Sequence, residues 1–331
     1  MLPISVVILN YNGRVWLARC LEALAGQLGA PVFETIVVDN GSDDGSAAWA
    51  RTTYPWARLV ELPDNRGFAG GNNAGARHAG GEWLAFLNND TVAETDWLAR
   101  LWSAAAARPE FALITSRLVF LDDPARIDSA GDGYLRAGGA FKHGHGAPAA
   151  GFADSREVFG ACGGGFMIRR DVFDALGGFD ERFFMVYEDV DLSYRARLTG
   201  RRVWYAADAI VRHAGSASIG VLSPATVFYG QRNLEWTWLK NTPWRLLMAT
   251  AIPHAIYSAA GVLHYVRAGR GGAAVRGKIA ALADIVTVLK ARRAVHASAR
   301  TPSPPIEALM ERHWLAAKRR EKRFDGLRIR S

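Results

Sequence analysis

The feature that most constrains the fold is an alternation of strand-like apolar runs with helical patterns, which starts at the beginning of the chain. Residues 4–9 (ISVVIL) are mostly aliphatic and β-branched, and the polar turn NYNG follows at residues 10–13. A run of this kind that stops at a polar turn is typical of a strand buried on both faces. Apolar residues at steps of three and four then predict a helix over residues 16–28.

The same alternation continues for about eighty residues. It predicts further strands at residues 33–38, 59–62 and 83–87, and helices from about Gly45 and over residues 71–78. Such an alternation builds a parallel sheet with crossover helices, and ligands of these sheets bind beyond the carboxyl ends of the strands. Polar turns at residues 10–13, 39–42 and 88–90 follow three of the predicted strands. A polar ligand site is therefore expected at this edge of the sheet.

The second half of the chain gives a less regular pattern. Residues 120–160 lack periodicity and are rich in Gly, Ala, Asp and His, which predicts a variable connection without an assigned function. Beyond them, the pattern predicts strands at residues 165–169 and 203–206 and helices at residues 171–176, 188–198 and 227–239.

Charge and cysteine content exclude several classes of protein. Of the net charge of +8, residues 267–331 carry 16 Lys/Arg against 5 Asp/Glu, so the remainder is slightly acidic. Without a recognisable recognition module, this basic tail does not predict nucleic-acid binding. Cys20 and Cys162 are too few for a disulfide framework, which favours a reducing compartment. The first residues lack a signal-peptide pattern, and we expect a cytoplasmic protein.

Residues 246–266 contain no formal charge and are long enough to cross a bilayer. A polar stripe interrupts them, and a single crossing would carry the basic tail away from the rest of the protein. The stripe consists of Thr250, His254, Tyr257, Gly261 and His264. We therefore expect helices lying on a membrane surface, at the cytoplasmic face of the inner membrane. The basic residues expected near its head groups are Lys318, Arg319, Arg320, Lys322 and Arg323. The alternative is a soluble amphipathic helix packed on the main domain.

Two of the polar turns carry candidate ligand-binding acids. Asp39, in VVDNGSDDGS (residues 37–46), can accept hydrogen bonds from ribose hydroxyls or a base N–H. Asp90, in LNNDT (residues 87–91), offers oxygen ligands of the kind that Mg²⁺ or Mn²⁺ prefers. The alternative for Asp39 is an ordinary capped αβ turn, and the alternative for Asp90 is a turn whose Asp caps the next helix.

A third motif places three acids at the start of a predicted helix, after an aromatic-rich segment. They are Glu188, Asp189 and Asp191, and Asp191 faces Arg195 one turn later. A carboxylate held there can take a proton from an attacking hydroxyl. The alternative is that these acids are ordinary charged residues at the start of a helix. His213, at the end of a predicted strand, can supply a nitrogen ligand to a metal.

Together these segments resemble glycosyltransferase family 2, whose members have the GT-A fold and use nucleotide-diphospho-sugars. The matching segments are VVILNYN, VVDNGSDDGS, NRGFAGGNNAG, LNNDT, the stretch from Gly177 to Gly200, and RHAGS. The resemblance implies an α/β fold with a Rossmann-like mixed sheet flanked by helices. It implies a catalytic domain at residues 1–240, with a nucleotide-binding half (1–119) and an acceptor half (156–240), and a helical appendage at residues 241–331.

The resemblance also implies roles for individual residues. Asp39 matches the acid that binds the nucleoside, and Asp189 matches the catalytic base, with Glu188 and Asp191 beside it. Asp90 and His213 match the metal-binding positions, whereas Asn88 stands where the family usually has an Asp. Asn12, Arg66, Asn72 and Asn88 are expected around the donor, a dTDP- or UDP-linked sugar that binds with Mg²⁺ or Mn²⁺.

Within the family, NRGFAGGNNAG and the NND form of the metal motif are most similar to rhamnosyltransferases of bacterial surface-polysaccharide assembly. The implied reaction is a hexosyl transfer to a glycan or polyprenyl-linked glycan, with inversion. The segment from Gln231 to Trp236 does not match the Gln-x-x-Arg-Trp motif of processive synthases, so one sugar is expected per encounter.

Three other functions compete with this interpretation. A nicotinamide-dependent oxidoreductase needs Gly-x-Gly-x-x-Gly after the first strand, where this chain has NYNG. A sugar nucleotidyltransferase needs a Gly-rich basic turn at the same place, and it too is missing. A silent membrane-bound polysaccharide-binding scaffold would have no chemical need for Asp39, Asp90, Asp189 and His213 together.

Overall fold

In the computed structural model, residues 2–215, 222–300 and 305–328 are described, with side chains as far as Glu321. The strands are β1 (Leu2–Asn10), β2 (Phe33–Asp39), β3 (Arg58–Glu61), β4 (Gly81–Asn88), β5 (Thr91–Ala93), β6 (Phe111–Phe120), β7 (Ile127–Ser129), β8 (Asp132–Leu135), β9 (Ala140–Lys142), β10 (Arg156–Val158), β11 (Gly165–Arg169), β12 (Arg202–His213) and β13 (Met310–Glu311). The helices are α1 (Arg14–Ala25), α2 (Ser46–Thr53), α3 (Gly67–His78), α4 (Trp97–Ala107), α5 (Arg170–Ala175), α6 (Glu188–Leu198), α7 (Pro224–Asn241), α8 (Trp244–Arg267), α9 (Gly271–Ala283), α10 (Ile285–Ala297) and α11 (Trp314–Arg328).

A mixed sheet with the order β10-β12-β6-β11-β4-β1-β2-β3 forms the centre of the molecule, and helices flank it. Strands β1 to β4 are parallel, as the alternation predicts. Strand β11 runs antiparallel to both β4 and β6 because no crossover helix precedes it. Alternate residues of β1 enter different apolar clusters, with Val7 on one face of the sheet and Val6 and Ile8 on the other. The expected α/β fold with a mixed sheet is confirmed.

The segment at residues 120–160 is not the irregular connection that its composition predicts. It contains β7 to β10, and β8 belongs to a small second sheet with the order β13-β8-β9. These strands have only three or four residues each, and β8 and β10 pair with the distant strands β13 and β12. Local periodicity does not reveal strands of that length.

Several element boundaries also differ from the prediction. Helix α1 ends at Ala25, so Leu28 lies outside it and is exposed. Helix α3 begins at Gly67 rather than at Gly71, and β12 continues to His213 rather than ending near Ala206. The elements β5, α4 and β6 lie in a stretch for which no prediction was made.

Helix α8 is amphipathic, but its polar face packs against the protein and its apolar face points outward. Its polar stripe faces the protein: Thr250 accepts a hydrogen bond from Trp238 Nε1 at 3.2 Å, and His254 stacks on the Trp238 ring at 3.8 Å. Its outward face is apolar, and Ile252 is 74% exposed. Among the described residues, α8 is the one helix whose length and composition would allow it to cross a membrane. The orientation differs from that of a soluble amphipathic helix, which buries its apolar face.

Glu235 of α7 joins helices α7, α8 and α9. Its carboxylate accepts hydrogen bonds from His254 Nε2 at 2.7 Å, from Ser258 Oγ at 2.7 Å and from Lys278 Nζ at 2.5 Å. Burial opposes ionisation, but the His254 hydrogen bond and the Lys278 charge lower the pKa of Glu235 to about 2. The side chain therefore stays ionised at neutral pH.

This interaction predicts a pH-dependent stability. Since folding lowers the pKa of Glu235, its contribution is fully present above the unfolded value and is lost as pH falls toward 2, by about 3 kcal/mol in total. Urea unfolding between pH 6 and pH 2.5 should show that loss. In Glu235→Gln, the free energy of unfolding should change less with pH over this range. An unchanged pH dependence in the variant would contradict this role.

Candidate active site

Asn10, the last residue of β1, connects the polar turns at the carboxyl ends of three parallel strands. Its Nδ2 donates to Ser46 Oγ at 2.8 Å and, more weakly, to Asp39 Oδ1 at 3.4 Å. Its Oδ1 accepts from Asn89 Nδ2 at 2.8 Å. The turns after β1, β2 and β4 therefore meet, as expected for the ligand-binding edge of such a sheet.

Asp39 is held at the end of β2 and is almost fully buried. Its Oδ2 accepts from the backbone N–H of Ser42 at 3.0 Å, which orders the turn into α2. Asn12 lies across this turn: its Oδ1 accepts from the Asp43 N–H at 2.9 Å, and its own φ is 49°. Asp39 and Asn12 thus occupy adjacent loops.

Two of the other residues expected around the donor, Arg66 and Asn72, lie directly before α3 and within it. The Arg66 N–H donates to Asn40 Oδ1 at 2.9 Å, and its half-exposed side chain reaches Asp64 at 3.4 Å. Asn72 is buried and donates back to the Phe68 carbonyl at 3.0 Å, so its amide is used within the helix. The Arg66 guanidinium is consequently the more available of the two side chains.

Asp90, His213 and Asp128 form a buried chain of acid, imidazole and acid. His213 Nδ1 lies 2.7 Å from Asp128 Oδ2, and His213 Nε2 lies 3.3 Å from Asp90 Oδ1. Burial disfavours the imidazolium, but the hydrogen bonds to Asp128 and Asp90 outweigh it and raise the pKa of His213 to about 9. The ring is therefore an imidazolium at neutral pH. A bound metal would take the place of the proton on Nε2.

This arrangement fits a divalent cation. In proteins a metal-binding imidazole usually donates its second ring nitrogen to a carboxylate, which is the role that Asp128 fills for His213. The other nitrogen of the ring then faces Asp90, and the two residues present one nitrogen and one carboxylate to the same space. Asn88 ends β4 two residues before Asp90, and its side chain makes no hydrogen bond to the described residues.

Asp189 lies in the first turn of α6, next to a glycine pair in the loop before β11. Its Oδ2 accepts from the Gly163 N–H at 2.7 Å, and its Oδ1 accepts from the Val190 N–H at 2.7 Å. A Cβ at Gly163 would lie 3.0 Å from Asp189 Oδ2, and a Cβ at Gly164 would lie 4.0 Å from His213 Cε1. Asp189 and His213 thus approach two consecutive residues of one loop. Burial raises the pKa of Asp189, which makes it a better proton acceptor.

A second carboxyl group, on Asp132, lies near Asp189. Single donor atoms of Asp132, Asp189 and Cys162 all lie within 4.8 Å of one another. Burial and the Asp189 charge raise the pKa of Asp132 well above its usual range. Burial also raises the pKa of the Cys162 thiol, which makes it a poor metal ligand.

The two acids that flank Asp189 in the helix have different surroundings. Asp191 is fully buried and bound to Arg195 Nε at 2.8 Å, Asn241 Nδ2 at 2.8 Å and Lys240 Nζ at 2.7 Å. It therefore anchors α6 to α7 and is not directed toward a substrate. Glu188 is buried, and its Oε2 has no hydrogen-bond partner among the described residues.

A strained loop precedes α6. Phe184, Val186 and Tyr187 all have positive φ, from 63° to 78°, which is costly for residues of this size. Asn233 of α7 holds the loop, because its Nδ2 donates to the carbonyls of Phe183, Met185 and Val186 at 2.7–2.9 Å. Gly67 at the start of α3 makes a close approach, since a Cβ there would lie 2.3 Å from the Phe184 carbonyl oxygen.

The family can be assigned at this point. Residues 5–177, more than half of the 331, match the family model described as Glycosyl transferase family 2. The chain belongs to glycosyl transferase family 2. The resemblance noted in the sequence is thereby confirmed at the level of the family. The RHAGS segment is described only as far as Gly215, because Ser216 lies outside the described residues.

Family 2 relatives match parts of this chain. The succinoglycan biosynthesis protein ExoO of Rhizobium meliloti is 36% identical over 121 residues, which are 36% of this chain and 34% of ExoO. The O-antigen biosynthesis protein RfbC of Myxococcus xanthus is 32% identical over 239 residues, which are 65% of this chain and 18% of RfbC. The chain therefore covers about a third or less of the length of either relative.

The family 2 fold also matches solved structures. The structure of GalNAc-T7 with UDP, GalNAc and Mn²⁺ superposes with a TM-score of 0.55 at 17% identity, and it covers 71% of this chain and 48% of that one. At this identity the match supports the GT-A type of fold.

The sequence did not single out four residues of this family 2 site. Asp128 and Asp132 come from the segment at residues 120–160, where the only signal was an enrichment in Asp and His. Asn10 belongs to a polar turn, and the sequence does not show which side chain of that turn takes part in the site. Asn233 lies inside a helix and gave no signal at all.

Asn233 should be essential for the shape of the loop before α6. Asn233→Leu removes the Asn233 donor from three carbonyls. Among the described residues, only the Phe183 carbonyl keeps other donors, Arg232 Nη2 at 3.1 Å and the Met185 N–H at 2.7 Å. We expect a loss of about 2 kcal/mol in the free energy of unfolding. Urea unfolding measures this loss, with Ala225→Ser at an exposed position of the same helix as control. Equal stability of the Asn233 variant and the control would contradict the proposed support of the loop.

Proposed function

We propose that the chain transfers one sugar per encounter from a nucleotide-diphospho-sugar to a hydroxyl group of a glycan or polyprenyl-linked glycan, with inversion. The observation that carries the proposal is the arrangement at the strand ends of a family 2 domain. There, Asp90 faces His213, and Asp189 lies beside the same pair of glycines that His213 approaches. One site thus provides an acid and an imidazole for a diphosphate and a separate carboxylate for proton removal.

Asp189 is the proposed catalytic base. The acceptor hydroxyl gives its proton to the Asp189 carboxylate while its oxygen bonds to the anomeric carbon on the face opposite the diphosphate. The bond from that carbon to the diphosphate oxygen breaks, and its electron pair leaves with the nucleoside diphosphate. The Gly163 and Val190 N–H groups orient Asp189.

Asp90 and His213 are the proposed ligands of Mg²⁺ or Mn²⁺, with Asp128 orienting the imidazole. A bound cation of this kind neutralises charge on a leaving diphosphate. Because Asn88 replaces an acid, the site has one carboxylate fewer than stricter relatives of the family.

The donor is proposed to be UDP- or dTDP-linked, with Asp39 receiving the nucleoside and Arg66 near the phosphates. A UDP-linked donor is supported by the UDP and Mn²⁺ that GalNAc-T7 was crystallised with. A role in surface polysaccharide synthesis is supported by the names of ExoO and RfbC. Rhamnose is our preferred sugar, on the NRGFAGGNNAG segment and the NND form of the metal motif.

A panel of nucleotide-sugars tests this proposal. Release of nucleoside diphosphate and thermal stabilisation are measured for UDP- and dTDP-linked sugars with and without Mn²⁺. We expect one donor to stabilise the protein in a Mn²⁺-dependent manner and to be consumed when acceptor is added. Stabilisation without turnover for any acceptor would favour the silent scaffold. Formation of a nucleoside triphosphate and a sugar 1-phosphate when pyrophosphate is added would favour a nucleotidyltransferase.

The exposed apolar side chains of α8 to α10 support a peripheral membrane position. They include Met248, Ile252, Ile256, Leu263, Val266, Val275, Ile279, Leu282, Val286 and Leu289. Residues 244–300 contain nine Lys/Arg and one acid, Asp284, which complements an anionic lipid surface. Because α8 uses its polar stripe to bind the protein, its apolar face is left for the acyl region.

Vesicle sedimentation tests this position. The double substitution Ile252→Glu and Ile256→Glu should weaken binding to phosphatidylglycerol vesicles by about tenfold or more, because two apolar side chains no longer leave water. Leu28→Glu is the control, since the exposure of Leu28 (66%) lies between those of Ile252 (74%) and Ile256 (57%), but Leu28 follows α1 and is not part of α8 to α10. Failure of the unaltered protein to sediment, or equal binding of both variants, would contradict the proposal.

A further inference from the structure

A cavity of about 750 Å³ lies between α7, α8 and α11, beside the loop that precedes the proposed base. Tyr187, the residue before α6, forms part of its wall, and the Ala140 N–H donates to the Tyr187 hydroxyl at 3.2 Å. Tyr257 and Trp314 line another part, with their rings edge to face at 5.2 Å. The cavity thus has aromatic walls and borders the start of α6, the helix that carries the proposed base.

Gln231 of α7 gives the cavity an unused polar group. It is 6% exposed and lines the cavity, and its Oε1 is buried without a hydrogen-bond partner among the described residues. A buried carbonyl oxygen without a donor is costly, so Gln231 Oε1 is expected to accept a hydrogen bond from a ligand or an ordered water. Gly261 of α8 faces this amide, and a Cβ there would lie 3.6 Å from it, in ordinary contact.

The charged groups around the cavity are cationic. Arg267, Lys318 and Arg319 line it, and its wall contains no Asp or Glu among the described residues. Lys318 donates to the Ala140 carbonyl and to Glu321, each at 2.6 Å, so its charge is partly compensated. Arg267 and Arg319 make no ion pair with the described residues and are exposed at the rim. The cavity therefore favours an anion.

The apolar outlet of the cavity indicates what is attached to that anion. Leu315, which lines the cavity, is 52% exposed, and α8 presents its apolar outer face beside the wall that it forms. A hydrocarbon chain leaving the cavity on this side would continue along apolar surface rather than into water. A free nucleotide or a soluble glycan has no part that would use such an outlet.

We infer that this cavity binds the phosphate-bearing end of a polyprenyl diphosphate, the lipid portion of the acceptor, with Arg267 and Arg319 contacting the diphosphate and the isoprenoid chain leaving past Leu315. Gln231 Oε1 accepts a hydrogen bond from a hydroxyl of the attached sugar. The inference rests on the proposed function, since it specifies the acceptor of that same reaction. The lipid-bound sugar would then extend past Tyr187 toward Asp189.

Isothermal titration with farnesyl diphosphate, a short polyprenyl diphosphate, tests this inference. The full chain is first saturated with UDP and Mn²⁺, so that the donor site does not take up the probe. Arg267→Glu and Arg319→Glu should each raise the Kd for farnesyl diphosphate by about tenfold. The charge-reversal control Arg19→Glu, on the exposed surface of α1, should leave the Kd unchanged.

Three further probes distinguish the sources of the same chemistry. Inorganic pyrophosphate, farnesol and phosphatidylglycerol vesicles should each compete poorly with farnesyl diphosphate. An unchanged Kd in Arg319→Glu, or displacement by pyrophosphate or by vesicles alone at equal concentration, would overturn the inference. Arg267→Glu and Arg319→Glu are both surface changes, so the folded protein is available for the measurement. Binding is read without turnover, so a protein that binds the lipid but no nucleotide-sugar would refute the proposed function while leaving the cavity assignment intact.

Discussion

Asp189→Asn is expected to lower the rate of sugar transfer by about a hundredfold or more while leaving the affinity for the donor nearly unchanged. The amide cannot accept the proton of the attacking hydroxyl, yet it has the same size and can still accept a hydrogen bond from Gly163 or Val190. Transfer is measured as release of nucleoside diphosphate under saturating acceptor. Donor affinity is measured by titration in the absence of acceptor.

The matched control is Asp174→Asn, the same chemical change at an exposed position of α5. It should retain full activity. Near-normal transfer by Asp189→Asn would remove Asp189 from the role of base. Loss of donor binding in parallel with transfer would instead make Asp189 a donor-site residue.

The second large effect is expected for Asp90→Ala. Removing the carboxylate that faces His213 Nε2 should weaken Mn²⁺-dependent binding of UDP by about tenfold or more. Binding of UDP without metal should change little, so the gain that Mn²⁺ gives to the unaltered protein is what disappears. Titration of UDP with and without Mn²⁺ measures both quantities.

Asp96→Ala serves as the control for Asp90, because Asp96 lies at the exposed start of α4 and pairs only with Arg100 among the described residues, at 2.8 Å. It should bind UDP and Mn²⁺ as the unaltered protein does. If Asp90→Ala kept the full Mn²⁺ effect, the metal would have to be held elsewhere, for example near Asp132 and Asp189.

The parts of the fold that could be predicted are those whose signal is local. The apolar run before Asn10 and the turn at Asp39 each lie within one short segment. The observed bounds of β1 and β2 agree with the prediction made from these segments to within two residues. The acid group at Glu188 marks the start of α6, and its Asp191 meets Arg195 one helical turn later, as the spacing predicts.

The remainder depended on contacts between distant segments. Asp128 reaches His213 only because the short strand β7 pairs with β6, which itself lies beside β12. Asn233 supports the strained loop from α7, about fifty residues later in the chain. The polar stripe of α8 was visible in the sequence, but the partners that turn it inward, Trp238 and Glu235, were not.

The most direct test is the position of Mn²⁺ in crystals grown with UDP, located by its anomalous scattering. The account predicts a single strong peak between the Asp90 carboxylate and His213 Nε2, with the diphosphate bound to it and the nucleoside beside Asp39. A nucleotide bound away from the carboxyl ends of β1, β2 and β4, or a metal that touches neither Asp90 nor His213, would contradict it.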